Sequence, residues 1–365
     1  MVKFTSLIES IPAIVPFVGP EALARRTGHS ILARIGANEN VFGPSPRAVD
    51  AMRQVAGETW QYGDPENFEL KKALSNHLGV GPKNIAIGEG IDGLLGYAAR
   101  LFVEHGTAVV TSQGAYPTFN FHVAGCGGQL LTVPYVSDHE DWASLLDLAE
   151  AKNACVIYFA NPDNPMGTWH PAAAVQTLMD GTPDNAMLFL DEAYGEFAPD
   201  GTLPPLDISR PNVLRFRTFS KAYGMAGMRV GYAIGHADVI AGFEKIRNHF
   251  GMNRISQAAS LAALADQAWL SFVKFEVHKS RERIYRIAKA NGFIPIPSAT
   301  NFVTMDCGKD SEFAKAIVDG LLQHGIFTRM PGVAPLNRCI RVSCGTEIDL
   351  ARLATALPLV LETLR

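Results

Sequence analysis

Short runs of apolar residues, each followed by turn residues and a helical pattern, recur along the chain from about residue 45 to residue 250. The runs span four to six residues and are rich in β-branched and aromatic side chains. Continuous apolar runs of this length are typical of strands that helices cover on both faces. The clearest runs are 84–88 (NIAIG), 108–111 (AVVT), 155–160 (CVIYFA), 187–190 (MLFL), 213–216 (VLRF) and 229–234 (RVGYAI). The pattern predicts an α/β domain.

The pattern changes after about residue 250. A long helical stretch from 256 to about 290 is followed by a second helical pattern at 312–324 and by the strand-like CIRVSCG at 339–345. Smaller elements punctuated by glycine are typical of a separate α+β unit. We therefore predict an N-terminal arm over 1–45, a large domain over 46–250 and a small C-terminal domain over 251–365.

The composition excludes several classes of protein. Hydrophobic residues make up 47% of the 365 residues, and 32 Lys and Arg stand against 36 Asp and Glu, for a formal net charge of −4. A slightly acidic chain without a basic block predicts no nucleic-acid-binding surface. No apolar stretch approaches the roughly 18 to 20 residues that span a bilayer. Glu9 and three prolines interrupt the apolar N-terminus, which indicates an extended arm and not a signal peptide.

The spacing of the cysteines and histidines argues against metal and disulfide sites. The five cysteines contain no C-x-x-C pair, and the histidines show no spacing of the H-E-x-x-H kind. Zinc sites usually carry such pairs. We expect reduced thiols in a soluble, cytoplasmic protein, and no metal site.

Four of the apolar runs are followed by unusual polar or glycine-rich segments. These segments are GEGIDG (88–93), NPDNPMG (161–167), DEAYGEF (191–197) and TFSKAYG (218–224). In open α/β sheets, ligands bind beyond the carboxyl ends of the strands. The four segments are therefore predicted to form one pocket.

The segment 88–93 is a literal G-x-G-x-x-G that follows a strand and opens a helix. A dinucleotide site would also need an acidic residue about 20 positions further on. The residues after the next strand are Thr111, Ser112 and Gln113, none of which is acidic. A plain phosphate loop is favoured, because the backbone N–H groups of a helix N-terminus bind phosphate whichever cofactor carries it.

Lys221 lies directly after a predicted strand, between Ser220 and Ala222, and Arg229 follows eight residues later. A lysine flanked by hydroxyl groups, with an arginine nearby, suits a Schiff base whose partner carries a phosphate. In that arrangement Thr218, Ser220 and Arg229 would hold the phosphate.

The neighbouring segments add groups that fit a flat heterocycle. Asp191 follows an apolar strand, where a carboxylate is costly unless it is paired, and a pyridinium nitrogen is a suitable partner. Tyr194 and Asn164 could both bond a ring hydroxyl, and Tyr116 could supply an aromatic face. Together the segments predict a site for a flat, phosphorylated heterocycle that forms a Schiff base with Lys221.

In this order, the motifs resemble those of the fold type I pyridoxal-phosphate-dependent aminotransferases of class I/II, and within them the histidinol-phosphate aminotransferase-like group. The resemblance covers nearly the whole chain, from ANENVFGPSP (37–46) through WQYGDPEN (60–67) and the four segments above to CIRVSCG. It implies a large domain with a mostly parallel central sheet, a smaller α+β domain and pyridoxal 5′-phosphate as cofactor.

The resemblance also implies roles for individual residues. Lys221 matches the lysine that forms the Schiff base and moves the proton between the substrate α-carbon and the cofactor C4′. Asp191 matches the residue that keeps the pyridine nitrogen protonated. Tyr194 and Asn164 match the residues that bond the 3′-oxygen, and Tyr116 matches the stacking aromatic residue.

Phosphate and substrate contacts follow from the same resemblance. The phosphate would be held by the backbone amides of Gly90 and Ile91 and by the side chains of Thr218, Ser220 and Arg229. Tyr62 matches a tyrosine that reaches the cofactor phosphate of the neighbouring subunit, which implies a homodimer with shared active sites. Arg341 matches the arginine that binds the substrate α-carboxylate. Arg329, as a second anion site, and Asn40 are further candidate substrate ligands.

The resulting hypothesis is an aminotransferase that moves an amino group from an α-amino acid or related amine to a 2-oxo acid by a ping-pong mechanism. Histidinol phosphate and aromatic amino acids are candidate substrates. Phe17 stands where the group often has a tyrosine in a P-Y segment, which argues against histidinol phosphate. A decarboxylase of the threonine-phosphate decarboxylase type stays open, since the same residues bind the cofactor. A cofactor-binding regulator is the non-enzymatic alternative, and no DNA-binding extension supports it.

Overall fold

In the computed structural model, which describes residues 2–13 and 18–364, the apolar runs form the strands of a central sheet. The β-strands of the described residues, in this and two smaller sheets, are β1 (Ala33–Arg34), β2 (Ile85–Gly88), β3 (Ala108–Ser112), β4 (Gln129–Val133), β5 (Val156–Ala160), β6 (Met187–Asp191), β7 (Val213–Thr218), β8 (Gly231–Ile234), β9 (Ile294–Pro295), β10 (Phe302–Asp306), β11 (Ile326–Phe327) and β12 (Cys339–Ser343). The α-helices are α1 (Ser6–Ser10), α2 (Pro20–Thr27), α3 (Pro46–Val55), α4 (Phe68–Leu78), α5 (Gly90–Phe102), α6 (Pro117–Gly125), α7 (Trp142–Lys152), α8 (Ala172–Gly181), α9 (Ala237–Phe243), α10 (Arg254–Ala265), α11 (Gln267–Ala290), α12 (Ser311–Gln323) and α13 (Glu347–Thr363).

The central sheet has the strand order β2-β8-β7-β6-β5-β3-β4. All neighbouring strands are parallel except β8, which runs antiparallel to both β2 and β7. The predicted α/β fold with a mostly parallel sheet is confirmed. The carboxyl ends of β5, β6 and β7 lie side by side, and three of the four polar segments predicted to meet follow these strands. The fourth segment, 88–93, follows β2, which runs in the same direction as β7.

Alternate residues of the central strands enter two different cores. In β5, Val156 and Tyr158 pack on one face of the sheet, whereas Ile157 and Phe159 pack on the other, and all four are fully buried. A strand covered on both faces needs an apolar residue at every position, which explains the continuous runs. The edge strand β4 is partly exposed and therefore has no such run.

Two element boundaries differ from those predicted. The strand expected over 229–234 begins at Gly231, because Arg229 has a φ of 55° and ends a short 3₁₀ turn. The helical stretch after 256 is two helices, α10 and α11, separated at Asp266. The Asp266 carboxylate accepts a hydrogen bond from the backbone N–H of Trp269 and so caps α11.

The C-terminal part is built on the antiparallel sheet β12-β10-β9, against which α11 and α12 pack. β1 joins this part through a parallel pairing with β11. One continuous cluster of buried side chains runs from Ala33 through Leu74 to Val360. The domain boundaries drawn from the sequence remain a prediction.

Three observations on the described residues concern membrane-spanning helices, metal-binding clusters and disulfides. Within residues 2–13 and 18–364, no helix combines the length and the apolar composition that a bilayer crossing requires. In the same residues, no cluster of three or more histidine, cysteine or acidic side chains is placed to hold a metal ion. The cysteines are free thiols.

Candidate active site

A cavity of about 250 Å³, here called the strand-end cavity, opens at the carboxyl ends of β5, β6 and β7. It brings together most of the residues predicted to form the site. The predicted residues that line it are Ile91, Tyr116, Asn164, Asp191, Tyr194, Thr218, Ser220, Lys221 and Arg229. Residues more than 100 positions apart in the sequence therefore share one cavity, as the strand-end argument requires.

A second cavity of about 530 Å³, here called the arginine cavity, adjoins the first. Five residues line both, among them Tyr194 and Lys221. Arg329 and Arg341 line only the arginine cavity. The two cavities thus meet at the lysine.

Asp191 is the last residue of β6, and its side chain is buried at the floor of the strand-end cavity. Its carboxylate accepts hydrogen bonds from the Tyr158 hydroxyl at 2.7 Å and from the backbone N–H of Ala193 at 2.9 Å. Burial raises the pKa of Asp191, and these two hydrogen bonds oppose the rise. A cationic partner in the cavity would stabilise the ionised form.

Glu192 follows on the opposite face of the strand, where it is fully buried. Arg215 and Arg217 bind its two carboxylate oxygens, with Nε–O distances of 2.9 and 2.8 Å. Burial alone would raise the pKa of Glu192, but the two guanidinium groups hold it below its usual value. The period of two along a strand thus gives adjacent carboxylates different environments, one facing the cavity and one paired inside the protein.

Lys221 lies in the turn that follows β7, and its Nζ donates a hydrogen bond to the backbone oxygen of Asn38 at 3.1 Å. Burial lowers the pKa of Lys221 to about 8, and the positive charges of Arg341 and Arg229 act in the same direction. At neutral pH, roughly one Lys221 in ten is therefore uncharged, against fewer than one in a thousand for an ordinary lysine. An uncharged amine is the form that attacks a carbonyl carbon.

The start of α5 and Arg229 form a cradle at one end of the strand-end cavity. Gly90 has a φ of 78°, and a Cβ placed on it would lie 2.4 Å from Nη2 of Arg229. A Cβ on Gly231 would lie 2.7 Å from the backbone nitrogen of Ile91. Only glycine at these two positions lets the guanidinium and the first turn of the helix approach so closely. The N–H groups of that turn lack partners within the helix, so the cradle suits an anion.

The hydroxyl groups near the cradle have different partners. Ser220 Oγ receives a weak hydrogen bond from Nη1 of Arg229 at 3.4 Å, which leaves its own proton available. Thr218 Oγ1 donates to the backbone oxygen of Val230 at 3.1 Å and accepts from the backbone N–H of Ser220 at 3.0 Å. The geometry supports Ser220 as an anion donor, and it gives Thr218 the task of shaping the turn.

Arg341, on β12, is buried and has little compensation for its charge. Its Nη1 donates to Oδ1 of Asn164 at 2.5 Å, and its Nε has no hydrogen-bond partner. Burial lowers the pKa of Arg341 to about 10. A buried cation with an unpaired N–H beside a cavity is a strong binding site for an anion.

Arg329 pairs with Arg341 along the backbone in an antiparallel bridge. Its Nη2 donates to the backbone oxygen of Val18 at 3.0 Å, and burial lowers the pKa of the group. Two guanidinium groups therefore line the same wall of the arginine cavity.

Comparison with known proteins agrees with this geometry. The family model described as aminotransferase class I and II matches residues 31–357. This chain belongs to the class I and II aminotransferases. The predicted enzyme class is confirmed, and the predicted cofactor is the one bound in a solved relative.

Individual relatives agree with the family. Histidinol-phosphate aminotransferase 1 of Nitrosococcus oceani is 33% identical over 348 residues, covering 94% of this chain and 93% of the relative. A solved structure described as histidinol-phosphate aminotransferase from Sinorhizobium meliloti in complex with pyridoxal-5′-phosphate is 57% identical, with a TM-score of 0.98 over 100% of this chain and 99% of the other. Aspartate aminotransferase from Thermus thermophilus, with maleate, is 19% identical and covers 99% of this chain and all of the other. Its TM-score of 0.84 shows the shared fold.

The strand-end cavity of this aminotransferase fits pyridoxal phosphate. The glycine cradle with the cationic Arg229 suits the anionic phosphate. The buried carboxylate of Asp191 suits the ring nitrogen, which is positively charged when protonated. Lys221, with its lowered pKa, suits the aldehyde. The geometry of segment 88–93 fits the predicted phosphate loop, and the dinucleotide alternative is not needed.

Three of the predicted residues lie elsewhere. Gly90 contributes its backbone to the cradle and lines neither cavity. Asn40 donates its side-chain amide to the backbone oxygens of Lys221 and Ala222, at 3.1 and 3.2 Å, so it supports the lysine turn from behind. Tyr62 is 78% exposed, packs against Phe250 with the ring centroids 4.7 Å apart and lines neither cavity. Phe17, whose identity bears on the substrate, lies outside the described residues.

Sequence reasoning missed two residues of this site. Tyr158 binds Asp191 from within β5, and a tyrosine in an otherwise apolar buried run was the available signal. Asn38 bonds both Lys221 and the Tyr194 hydroxyl, at 3.1 Å each. Its only signal was its place in the ANENVFGPSP segment, two residues before the predicted Asn40.

Proposed function

We propose that this aminotransferase acts on histidinol phosphate as amino donor and on a 2-oxo acid as acceptor, by a ping-pong mechanism. The arginine cavity carries the proposal, because it presents Arg329 and Arg341 on one wall, next to Lys221. A phosphate monoester carries up to two negative charges, so two guanidinium groups match it well. The curated and solved relatives named as histidinol-phosphate aminotransferases support the same substrate.

The proposed chemistry assigns one task to each group of the strand-end cavity. When bound, pyridoxal phosphate supplies an aldehyde for the substrate amine and a ring that withdraws electrons from the substrate α-carbon. Lys221 removes the proton at the α-carbon and returns it at the cofactor C4′. Asp191 holds a proton on the ring nitrogen through its negative charge. Tyr194 and Asn164 bond the ring oxygen, and Tyr116 covers the ring face.

The substrate is tested by a visible absorption titration of the purified, reconstituted protein. We expect histidinol phosphate to bleach the absorption of the bound cofactor at lower concentration than L-histidinol, L-phenylalanine or L-glutamate. A 2-oxo acid should then restore the absorption. Release of carbon dioxide from L-phenylalanine or L-glutamate, with no absorption change that a 2-oxo acid reverses, would contradict transamination and support the decarboxylase alternative.

Arg329→Ala should weaken the binding of the phosphorylated substrate selectively. Loss of a charge-assisted hydrogen bond corresponds to a roughly 10- to 100-fold rise in the KM for histidinol phosphate. The KM for L-histidinol, which has no phosphate, should change by less than about threefold. Steady-state kinetics with both amines measure the difference.

The matched control is Arg338→Ala. Arg338 precedes Arg341 by three residues in the sequence, but it pairs with Asp138 and Asp306 and lines neither cavity. We expect unchanged KM values for both amines in this variant. Equal rises for both amines in Arg329→Ala would contradict a phosphate contact.

We further propose a cytoplasmic homodimer in which Tyr62 completes the active site of the neighbouring subunit. Tyr62 and Phe250 form an exposed aromatic pair, and Trp60 nearby is also exposed. Large apolar side chains exposed together are typical of a surface that a partner covers. The free cysteines support the compartment.

Mixing two inactive variants should restore activity if the sites are shared. In a mixed dimer of Lys221→Ala and Tyr62→Ala subunits, one site receives Lys221 from one chain and Tyr62 from the other. Random exchange of subunits would restore ~25% of wild-type activity. Activity is measured after the chains are unfolded and refolded together.

Each variant refolded alone is the control. A mixture no more active than the two variants measured separately would contradict a shared site. If light scattering gives the wild-type protein the molar mass of a monomer, the proposed dimer is wrong.

A further inference from the structure

Asn38 lies in the arm, in contact with Lys221 and Tyr194, in a backbone conformation that few residues adopt. It is 2% exposed and lines the arginine cavity. Its φ of 54° places it in the left-handed region, which asparagine tolerates better than most residues other than glycine. Such a buried, left-handed asparagine is held by its contacts.

The contacts fix which end of the Asn38 amide faces which partner. The backbone N–H of Asn38 donates to Oγ of Ser343 at 2.9 Å. Ser343 gives its own hydroxyl proton to Oδ1 of Asn38 at 3.1 Å. The Nδ2 end is therefore the one turned to Tyr194, whose hydroxyl oxygen accepts its hydrogen bond at 3.1 Å.

This orientation determines the role of the Tyr194 hydroxyl. An oxygen that accepts a hydrogen bond from Asn38 has to direct its own proton to a different acceptor. Accepting a hydrogen bond also polarises the O–H group and makes it a stronger donor. Tyr194 lines the strand-end cavity, so a cofactor oxygen there is the available acceptor.

We propose that Asn38 is a positioning residue that makes Tyr194 a hydrogen-bond donor to the ring oxygen of the cofactor. The inference rests on the proposed role of Tyr194. A donor at the ring oxygen stabilises negative charge on it and makes the neighbouring Lys221 nitrogen easier to deprotonate once it is bonded to the cofactor. The side chain of Asn38 thus sets the pH range of the enzyme through Tyr194, without contacting the reacting atoms itself.

The backbone of Asn38 also connects Tyr194 and Lys221 to the C-terminal part of the chain. Its carbonyl oxygen accepts hydrogen bonds from Nζ of Lys221 at 3.1 Å and from Nδ2 of Asn301 at 3.2 Å. Ser343 lies at the end of β12, the strand that also carries Arg341. The substrate-binding strand and the cofactor-binding groups are therefore joined through one residue.

Asn38→Gly is the variant that tests the proposal. Glycine adopts the same φ without strain, and it removes only the side-chain amide. The pH midpoint of the visible absorption change of the reconstituted protein reports the proton on the Lys221 nitrogen. We expect Asn38→Gly to raise this midpoint by about half a unit to one unit, the size of one lost neutral hydrogen bond.

Two further variants separate positioning from loosening of the segment. Tyr194→Phe should raise the midpoint by itself, and adding Asn38→Gly to it should produce no further rise. Asn301→Ala removes hydrogen bonds to the backbone oxygens of Asn38 and Glu39 but leaves the Tyr194 contact, so its midpoint should match the wild type.

The outcomes distinguish the proposed role of Tyr194 from the inferred role of Asn38. If Tyr194→Phe leaves the midpoint unmoved, the proposed role of Tyr194 is wrong, and the role of Asn38 falls with it. If Tyr194→Phe raises the midpoint but Asn38→Gly does not, only the Asn38 inference is overturned. An equal rise from Asn38→Gly in both backgrounds, or an equal rise in Asn301→Ala, would also overturn it.

Discussion

Lys221→Ala is expected to abolish transamination and the visible absorption of the bound cofactor. Lys221 is the amine whose pKa burial lowers to about 8, and it lies where the two cavities meet. Alanine removes both the covalent attachment and the proton carrier. General acid–base catalysis by one group is worth about 10²- to 10⁴-fold, so turnover should fall by at least about 10⁴-fold when the covalent role is lost as well. Absorption spectra and a coupled assay for the 2-oxo acid measure the two effects.

Two control variants separate the loss of the reactive amine from the loss of a positive charge or of a surface lysine. Lys221→Arg keeps a positive charge beside the backbone oxygen of Asn38 but lacks a reactive amine, so it should be as inactive as Lys221→Ala. Lys245→Ala removes an exposed lysine and should behave as wild type. Turnover in Lys221→Ala within tenfold of wild type would refute the assignment.

Asp191→Asn should retain the fold and the cofactor cavity while losing most of the activity. The amide has nearly the shape of the carboxylate, and its oxygen can still accept a hydrogen bond from Ala193 or Tyr158. The negative charge that holds a proton on the ring nitrogen is lost. Removing one electrostatic partner of a developing charge costs about 10²- to 10³-fold in kcat, which is the decrease that we expect. Single-turnover kinetics of the amino-donor half-reaction measure it.

Tyr158→Phe is the graded control for the same site. It removes one hydrogen bond to Asp191 and keeps the charge, so kcat should fall by about tenfold or less. Circular dichroism and thermal unfolding of both variants establish that the fold is intact. Normal single-turnover rates in Asp191→Asn would show that Asp191 has no electronic role.

The strand-end residues were predictable because their positions depend on local sequence and on one rule of sheet geometry. Lys221, Asp191 and Asn164 each follow a buried apolar run, and the carboxyl ends of parallel strands meet at one edge of the sheet. The same reasoning did not predict Tyr158. Its hydroxyl reaches Asp191 from inside a strand, a contact that depends on the register between β5 and β6.

The amino-acid sequence by itself determined the fold class, the family and nine of the residues that line the strand-end cavity, because they lie in short motifs that follow one another in a fixed order. The tertiary structure decided the tasks of Asn38 and Asn40. Both lie in one short segment, yet Asn38 contacts Tyr194 and Ser343, 156 and 305 positions away, whereas Asn40 supports the lysine turn. Partners so distant in sequence leave no local periodicity. Only the packing of the arm between the central sheet and β12 brings them within hydrogen-bonding distance.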